Sequence, residues 1–206
     1  MEHIAAKRAT PGDDVVSLLV GAEVDGRSLD RDQLVIFLLA LLVAGNETTR
    51  TLISGGILTL FEHPGPRAEM VADPTLIPSA VEECLRWVTP IQAFARTVTA
   101  DTVVGGVEVK KLDYLVMLYA SGNRDERAFG RTAHVFDVRR EANPPNLAFG
   151  FGEHLCLGAA LARMETRILF EELLTRHPDY VVAGEPGWVA SSLVRGMETM
   201  PVAWEA

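Results

Sequence analysis

The chain is poor in cysteine, with Cys84 and Cys156 alone among 206 residues and no CxxC pair between them. That excludes a disulfide framework and fits a reducing compartment, read here as the cytoplasm. No basic cluster stands out, and 19 Lys and Arg against 28 Asp and Glu leave a net charge of −9. A nucleic-acid partner and an anionic-membrane surface are therefore not expected. The opening MEHIAAKRATPGDD has no apolar core and does not read as a signal peptide. The most apolar run, LVIFLLALLVAG at 34–45, is short. As helix it rises about 18 Å against the ~30 Å of a bilayer core. Asn46, Glu47, Thr48, Thr49 and Arg50 then interrupt it, so no membrane span is expected. Internal repeats and low-complexity tracts are also missing. What remains, 48% apolar and 23% charged, is the composition of a globular chain able to bury a core.

Along the chain, a short helix at about 13–20 precedes a turn at Asp25-Gly26, and a second helix starts near Ser28 or Asp30, both good N-cap residues. From Leu34 to about Glu62 the pattern is apolar nearly all round, which predicts a helix enclosed by protein on every side. His63-Pro64-Gly65-Pro66 ends it. PRAEMVADPTLI supplies a helix and a turn, and Pro78 opens a further helix that Pro90 closes, with Val81, Leu85 and Val88 at helical spacing. Residues 91–119 are rich in Val, Ile, Thr and Tyr around Gly105-Gly106, a hairpin signal. Residues 120–148 are a polar, ordered meander, and a segment of that length inside a compact domain is more often functional than idle. A helix follows Cys156, and YVVAGE with TMPVAW reads as a terminal hairpin. The fold class is mainly α with small β hairpins.

FGFGEHLCLG, residues 149–158, concentrates the chemistry. A cysteine at a helix start faces unpaired backbone N–H groups and the positive end of the helix dipole, both of which favour thiolate. The glycines before it permit close approach of a flat ligand. A lone thiolate suits a soft or borderline metal such as iron, and with no second ligand nearby a macrocycle would supply the remaining coordination, as in thiolate-ligated heme. The alternative is a small apolar cysteine packed before an ordinary helix. His3, His63, His134 and His177 have no ligand-like spacing and read as surface or turn residues, and Cys84 reads as core.

Two other stretches place charge where burial is expected. LVAGNETTR sets an acid and hydroxyls in the most apolar helix, which is costly unless they are partnered or wet. A threonine bonding elsewhere can open a local kink beside Gly45, and the competing reading is a polar stripe at a domain contact. Glu83 and Arg86 form an i, i+3 pair whose commonest meaning is an exposed surface contact.

Taken in order, AGxETT at 44–49, ExxR at 83–86, FDVRR at 136–140 and FxxGxHxCxG at 149–158 resemble the cytochrome P450 family of heme-thiolate monooxygenases. The resemblance implies the C-terminal half of that fold and heme b (iron protoporphyrin IX) as cofactor. Cys156 is then the axial iron ligand, with Phe149, Gly150 and Gly158 shaping its loop. His154 and Arg96 would meet the heme propionates. Ala44 and Gly45 would leave room above the heme, and Glu47 and Thr48 would be the acid–alcohol pair that delivers protons during dioxygen activation. Glu83 and Arg86 would be buried and joined by an arginine of the meander, Arg140 or in the alternative register Arg139, in a structural role. Ile91, Ala93 and Phe94 would border the substrate pocket. The implied activity inserts one oxygen atom from O2 into an apolar small-molecule substrate, with electrons from a ferredoxin and ferredoxin reductase.

The resemblance runs over nearly the whole chain yet covers about the C-terminal half of a usual member. On that count part of the 34–60 helix would lie uncovered. The rival reading is a truncated, non-catalytic fragment that binds heme weakly or only with a complementing N-terminal half.

Overall fold

A computed structural model describes residues 2–204, the side chains of Glu2, His3 and Val24 excepted. The chain divides into two compact units, Met1–Asn46 and Glu47–Ala206. The first contains α1 (Glu2–Ala9), α2 (Val15–Gly21), a small hairpin of β1 (Glu23–Val24) and β2 (Arg27–Ser28), and the first half of α3 (Arg31–Glu62). Asp14 caps α2, accepting from the Ser17 amide at 3.0 Å and from Lys7 Nζ at 2.6 Å. The Lys7 hydrogen bond, with the Ser17 amide second, lowers the Asp14 carboxyl to about 2. Asp25 and Gly26 turn the hairpin with φ of 53° and 71°, a pair of left-handed residues that glycine makes affordable. Of the two candidate starts for α3, Asp30 is the cap: its carboxylate accepts from the Gln33 amide and Gln33 Oε1 accepts from the Asp30 amide, both at 2.9 Å.

The expectation that α3 is enclosed on every side does not hold for its first half. Leu34 is buried, but Ile36, Leu39, Leu42 and Val43 are 58–69% exposed. Apolar periodicity marks these residues as wanting cover without saying which element provides it, and no described element covers them. At 32 residues α3 is also long and apolar enough to cross a membrane by length and composition alone, which the shorter apolar run did not indicate. Every residue across Gly45–Thr48 is α-helical, with no break where a kink was expected.

The second unit is built around the other half of α3. Leu52 and Leu60 enter a core with Met70 from α4 (Pro64–Ala72), Val81 and Leu85 from α5 (Ile77–Val88), and Phe170 and Leu174 from α8 (Ala159–Arg176). Close approach requires the Gly55-Gly56 pair. A methyl at Gly55 would stand 2.6 Å from Val88 Cγ1, and one at Gly56 would stand 2.7 Å from Phe170 Cζ. Cys84 is fully enclosed in this core, where burial pushes its thiol pKa up.

Thr89 ends α5 in a left-handed conformation, φ 45°. Then β3 (Ala93–Thr97) pairs antiparallel with β6 (Tyr114–Leu118), enclosing the hairpin of β4 (Thr102–Val104) and β5 (Val107–Val109). Gly105 and Gly106 make its two-residue turn at φ 57° and 83°. The meander holds only the short α6 (Tyr119–Gly122) and α7 (Glu126–Phe129) and a 3-10 turn at Gly130–Thr132. After α8 the terminal strands nest: β7 (Val181–Val182) pairs with β10 (Val202–Ala203), and β8 (Gly187–Trp188) with β9 (Met197–Thr199). The loop before β9 returns to the start of β3, where the Gln92 amide donates to the Leu193 carbonyl at 2.9 Å and Ile91 bridges Val194.

Two histidines are more than turn residues. His63 is half-buried between the rings of Trp87 and Phe136, with centroids 5.5 and 5.1 Å away, and His177 stacks on Trp204 at 4.6 Å. His134 is exposed, and the His3 side chain lies outside the described residues.

Candidate active site

The charged pair on α5 is buried, with Glu83 and Arg86 only 2% and 1% exposed. Arg86 donates through Nε and Nη2 to the two carboxylate oxygens of Glu83, each at 2.7 Å. Its remaining N–H groups reach main-chain carbonyls of the meander: Asn123 at 2.8 Å, Ala133 at 2.7 Å and Val135 at 3.0 Å. Glu83 also accepts from the Asp137 amide at 2.9 Å and from Arg140 Nε at 3.1 Å. Arg140 in turn donates to the carbonyls of Thr132 and Val135. Of the two meander arginines, Arg140 is the one at Glu83; Arg139 pairs with Glu69 on the surface, at 2.6 Å. Such a carboxylate and guanidinium are tolerable in the interior because every lone pair and proton is matched.

Sequence reasoning missed a second layer of this hub. Asn123 is fully buried. Its Nδ2 donates to Thr89 Oγ1 at 2.9 Å and its Oδ1 accepts from the Leu147 amide at 2.7 Å, so it ties the end of α5 to the approach of the cysteine loop. Arg124 donates to the carbonyls of Arg86 and Trp87 at 2.8 and 2.7 Å and lies 4.2 Å over the Trp87 ring. Burial first, then the nearby Arg86 charge, lowers its pKa to about 10. Glu82 takes both Arg163 of α8 and Asn146 Nδ2, the latter at 3.1 Å, and the Arg163 guanidinium lies 4.6 Å over the Phe149 ring. In sequence Asn123, Arg124 and Asn146 look like ordinary residues of a polar loop. No local signal separates them from it.

The cysteine loop sits on this base. Gly150 and Gly152 have φ of 68° and 66°, a region that side chains rarely adopt, and the Cys156 amide donates back to the Phe149 carbonyl at 2.9 Å. Helix α8 starts at Ala159 with Gly158 as cap, and Cys156 stands three residues before that start. Its carbonyl accepts from the Ala159 amide at 3.3 Å. Cys156 is exposed, as are Phe151, His154, Leu155, Leu157 and Gly158 around it, while Phe149 and Gly150 are half-buried. No group of three or more His, Cys, Asp and Glu that could hold a metal ion occurs among the described residues. The donor set is therefore one exposed cysteine sulfur, flanked by apolar side chains and a glycine cap, where an added methyl would stand 4.0 Å from Sγ. These residues fit a flat macrocycle that brings its own equatorial ligands.

The remaining candidates are distributed as follows. On α3, Glu47 and Thr48 are half-buried, Thr49 is buried, and Glu47 Oε1 accepts from Arg50 Nη2 at 2.5 Å. Ala44 and Gly45 are exposed, with open space where a Gly45 methyl would go. On β3, Arg96 is exposed and donates to the Ala95 carbonyl at 2.9 Å. Ile91 and Ala93 are half-buried, and Phe94 is exposed with its ring 6.1 Å from that of Tyr119.

The family model for cytochrome P450 matches residues 3–178. The chain belongs to the cytochrome P450 family. It is 40% identical over 203 residues to a steroid C26-monooxygenase of Mycolicibacterium smegmatis, covering 98% of this chain and 50% of that protein. To a methyl-branched lipid omega-hydroxylase of Mycobacterium tuberculosis it is 42% identical over 200 residues, covering 96% and 46%. A Bacillus megaterium P450 solved in complex with testosterone superimposes with a TM-score of 0.94 at 36% identity, covering all of this chain and 57% of that one. The chain thus spans about half the length of the curated relatives it matches. Its fold is the mainly helical P450 fold with small antiparallel strand pairs, as far as that half extends.

Proposed function

We infer that this chain is the heme-ligating portion of a P450 monooxygenase that inserts one oxygen atom from O2 into an apolar organic substrate. The observation that carries this reading is the exposed Cys156 sulfur, presented by a glycine loop whose base is fixed to the buried Glu83–Arg86–Arg140 hub. Bound heme would supply the dioxygen-activating chemistry. Cys156 would hold the iron as a thiolate, with Phe149, Gly150 and Gly158 shaping the loop, and His154 and Arg96 would take the propionates. The Glu47 carboxylate and Thr48 hydroxyl would hold and pass protons on the opposite side, with Arg50 orienting Glu47. Ala44 and Gly45 would leave the room that this needs. Ile91, Ala93 and Phe94 would border the substrate, whose apolar character is supported by relatives named for steroid and methyl-branched lipid oxidation. Electrons would come from a ferredoxin and its reductase, and the acidic, cysteine-poor chain fits the cytoplasm.

A carbon monoxide difference spectrum of the reduced, heme-loaded protein tests the ligand. A strongly red-shifted Soret band is expected, and a histidine-type spectrum would remove the Cys156 assignment. The second reading, a non-catalytic fragment that needs a complementing N-terminal half, is favoured by the exposure of Ile36, Leu39, Leu42 and Val43. Failure to retain heme alone, with retention on adding such a half, would support it.

A further inference from the structure

Arg163 stands in the second turn of α8 and joins that helix to α5 and to the cysteine loop. Its Nε and Nη2 donate to the two oxygens of Glu82, the second bond at 3.1 Å, so the carboxylate fixes the guanidinium plane by a two-point grip. The central guanidinium carbon lies 4.6 Å from the centre of the Phe149 ring, within cation–π range. That ring is half-buried against the hydrophobic core, and the carbonyl of the same residue accepts from the Cys156 amide at 2.9 Å. Glu82 reaches the loop by a second route, through Asn146, which donates to it at 3.1 Å and accepts from the Ala148 amide at 3.0 Å. A part-exposed ion pair adds little to a fold by itself. This one ends on the residue to which the main chain of Cys156 is bonded. Hydrogen bonding to Glu82 pushes the Arg163 pKa up and the Cys156 charge adds to it, so guanidinium and sulfur lie within electrostatic reach of each other.

We propose that Arg163 is a positioning residue for the Cys156 sulfur, acting through Phe149 by its stacked guanidinium and on the sulfur by its charge. Glu82 fixes where the guanidinium lies, the stack holds Phe149, and the Phe149 carbonyl holds the Cys156 main chain. The axial role of the sulfur rests on the function proposed above; the clamp itself does not. A fixed positive charge near a thiolate ligand favours the more negative state of the metal it binds, so Arg163 would also raise the reduction potential of the iron.

Amide hydrogen exchange in the 206-residue chain without heme tests the clamp, with the Leu85 amide in the core of α5 as internal reference. Arg163→Met is expected to speed exchange at Cys156 about fivefold relative to Leu85. Phe149→Leu should give a similar acceleration, to which Arg163→Met adds nothing. Loss of fold stability alone would speed both amides together. An unchanged ratio in Arg163→Met, or additive effects of the two changes, overturns the clamp. In the heme-loaded protein, Arg163→Met should shift the reduction potential to more negative values, whereas Arg163→Lys, which keeps the charge, should hold it. An equal shift in both variants, or none in either, overturns the charge effect. If Cys156 exchange responds as expected while the reduced carbon monoxide spectrum of the unaltered protein is of the histidine type, the clamp stands and the ligand assignment falls.

Discussion

Arg86 donates all five of its N–H groups inside the fold and Glu83 accepts four hydrogen bonds in return. Removing either member leaves the other charged, buried and short of partners. Arg86→Leu is therefore expected to destabilise the chain by about 3–5 kcal/mol, read as a shift of the urea midpoint at unchanged slope. Asp14, by contrast, titrates at a half-buried position near the surface. Its folded pKa lies below the ordinary carboxylate value, so its cap is complete above about pH 4 and is lost as pH falls towards 2. Amide exchange at Ser17 should lose protection over that window, and Asp14→Asn should show weaker protection at neutral pH with no such acid transition. At this scale the sequence was legible where a motif carries its own spacing, as in ExxR. It was silent at Asn123 and Arg124, whose partners are carbonyls and side chains reached through the fold, 34 and 37 residues away for Thr89 and Trp87. Local pattern cannot report such contacts.

Among the elements, α3 shows how one sequence pattern yields two environments. Its second half packs through Gly55-Gly56 against Val88 and Phe170, whereas Gly45 meets open space. Gly56→Ala should cost about 1–3 kcal/mol from overpacking, outweighing the ~1 kcal/mol that alanine gains over glycine in a helix. Gly45→Ala should register only that gain, and parallel denaturation of the two variants checks the contrast. Element types were readable from periodicity, proline placement and the Gly105-Gly106 turn. The start of α8 at Ala159 was readable as well, directly after the glycine that caps it.

For the molecule as a whole, burial was the least legible property, because apolar residues declare a need for cover but not its source. Ile36, Leu39, Leu42 and Val43 in the first unit, and Phe151, Leu155, Leu157 and Leu161 in the second, remain outward. Exposed apolar surface of this kind binds fluorescent hydrophobic dyes. Native protein is expected to enhance ANS fluorescence strongly, and the Ile36→Lys/Leu39→Glu variant should reduce it without lowering helical content by far-UV circular dichroism. Half the length of its relatives is also why fold and family are more firmly read from this chain than its turnover.

The hub has an evolutionary consequence. Arg86 and Arg140 grip the meander by the carbonyls of Asn123, Thr132, Ala133 and Val135, and every residue type presents the same carbonyl. Side chains between these points, Arg124 excepted, can drift widely while the grip persists. Inserting or deleting one residue between Asn123 and Val135 would move every anchor out of register. Selection on this segment should therefore tolerate changes of letter and resist changes of length.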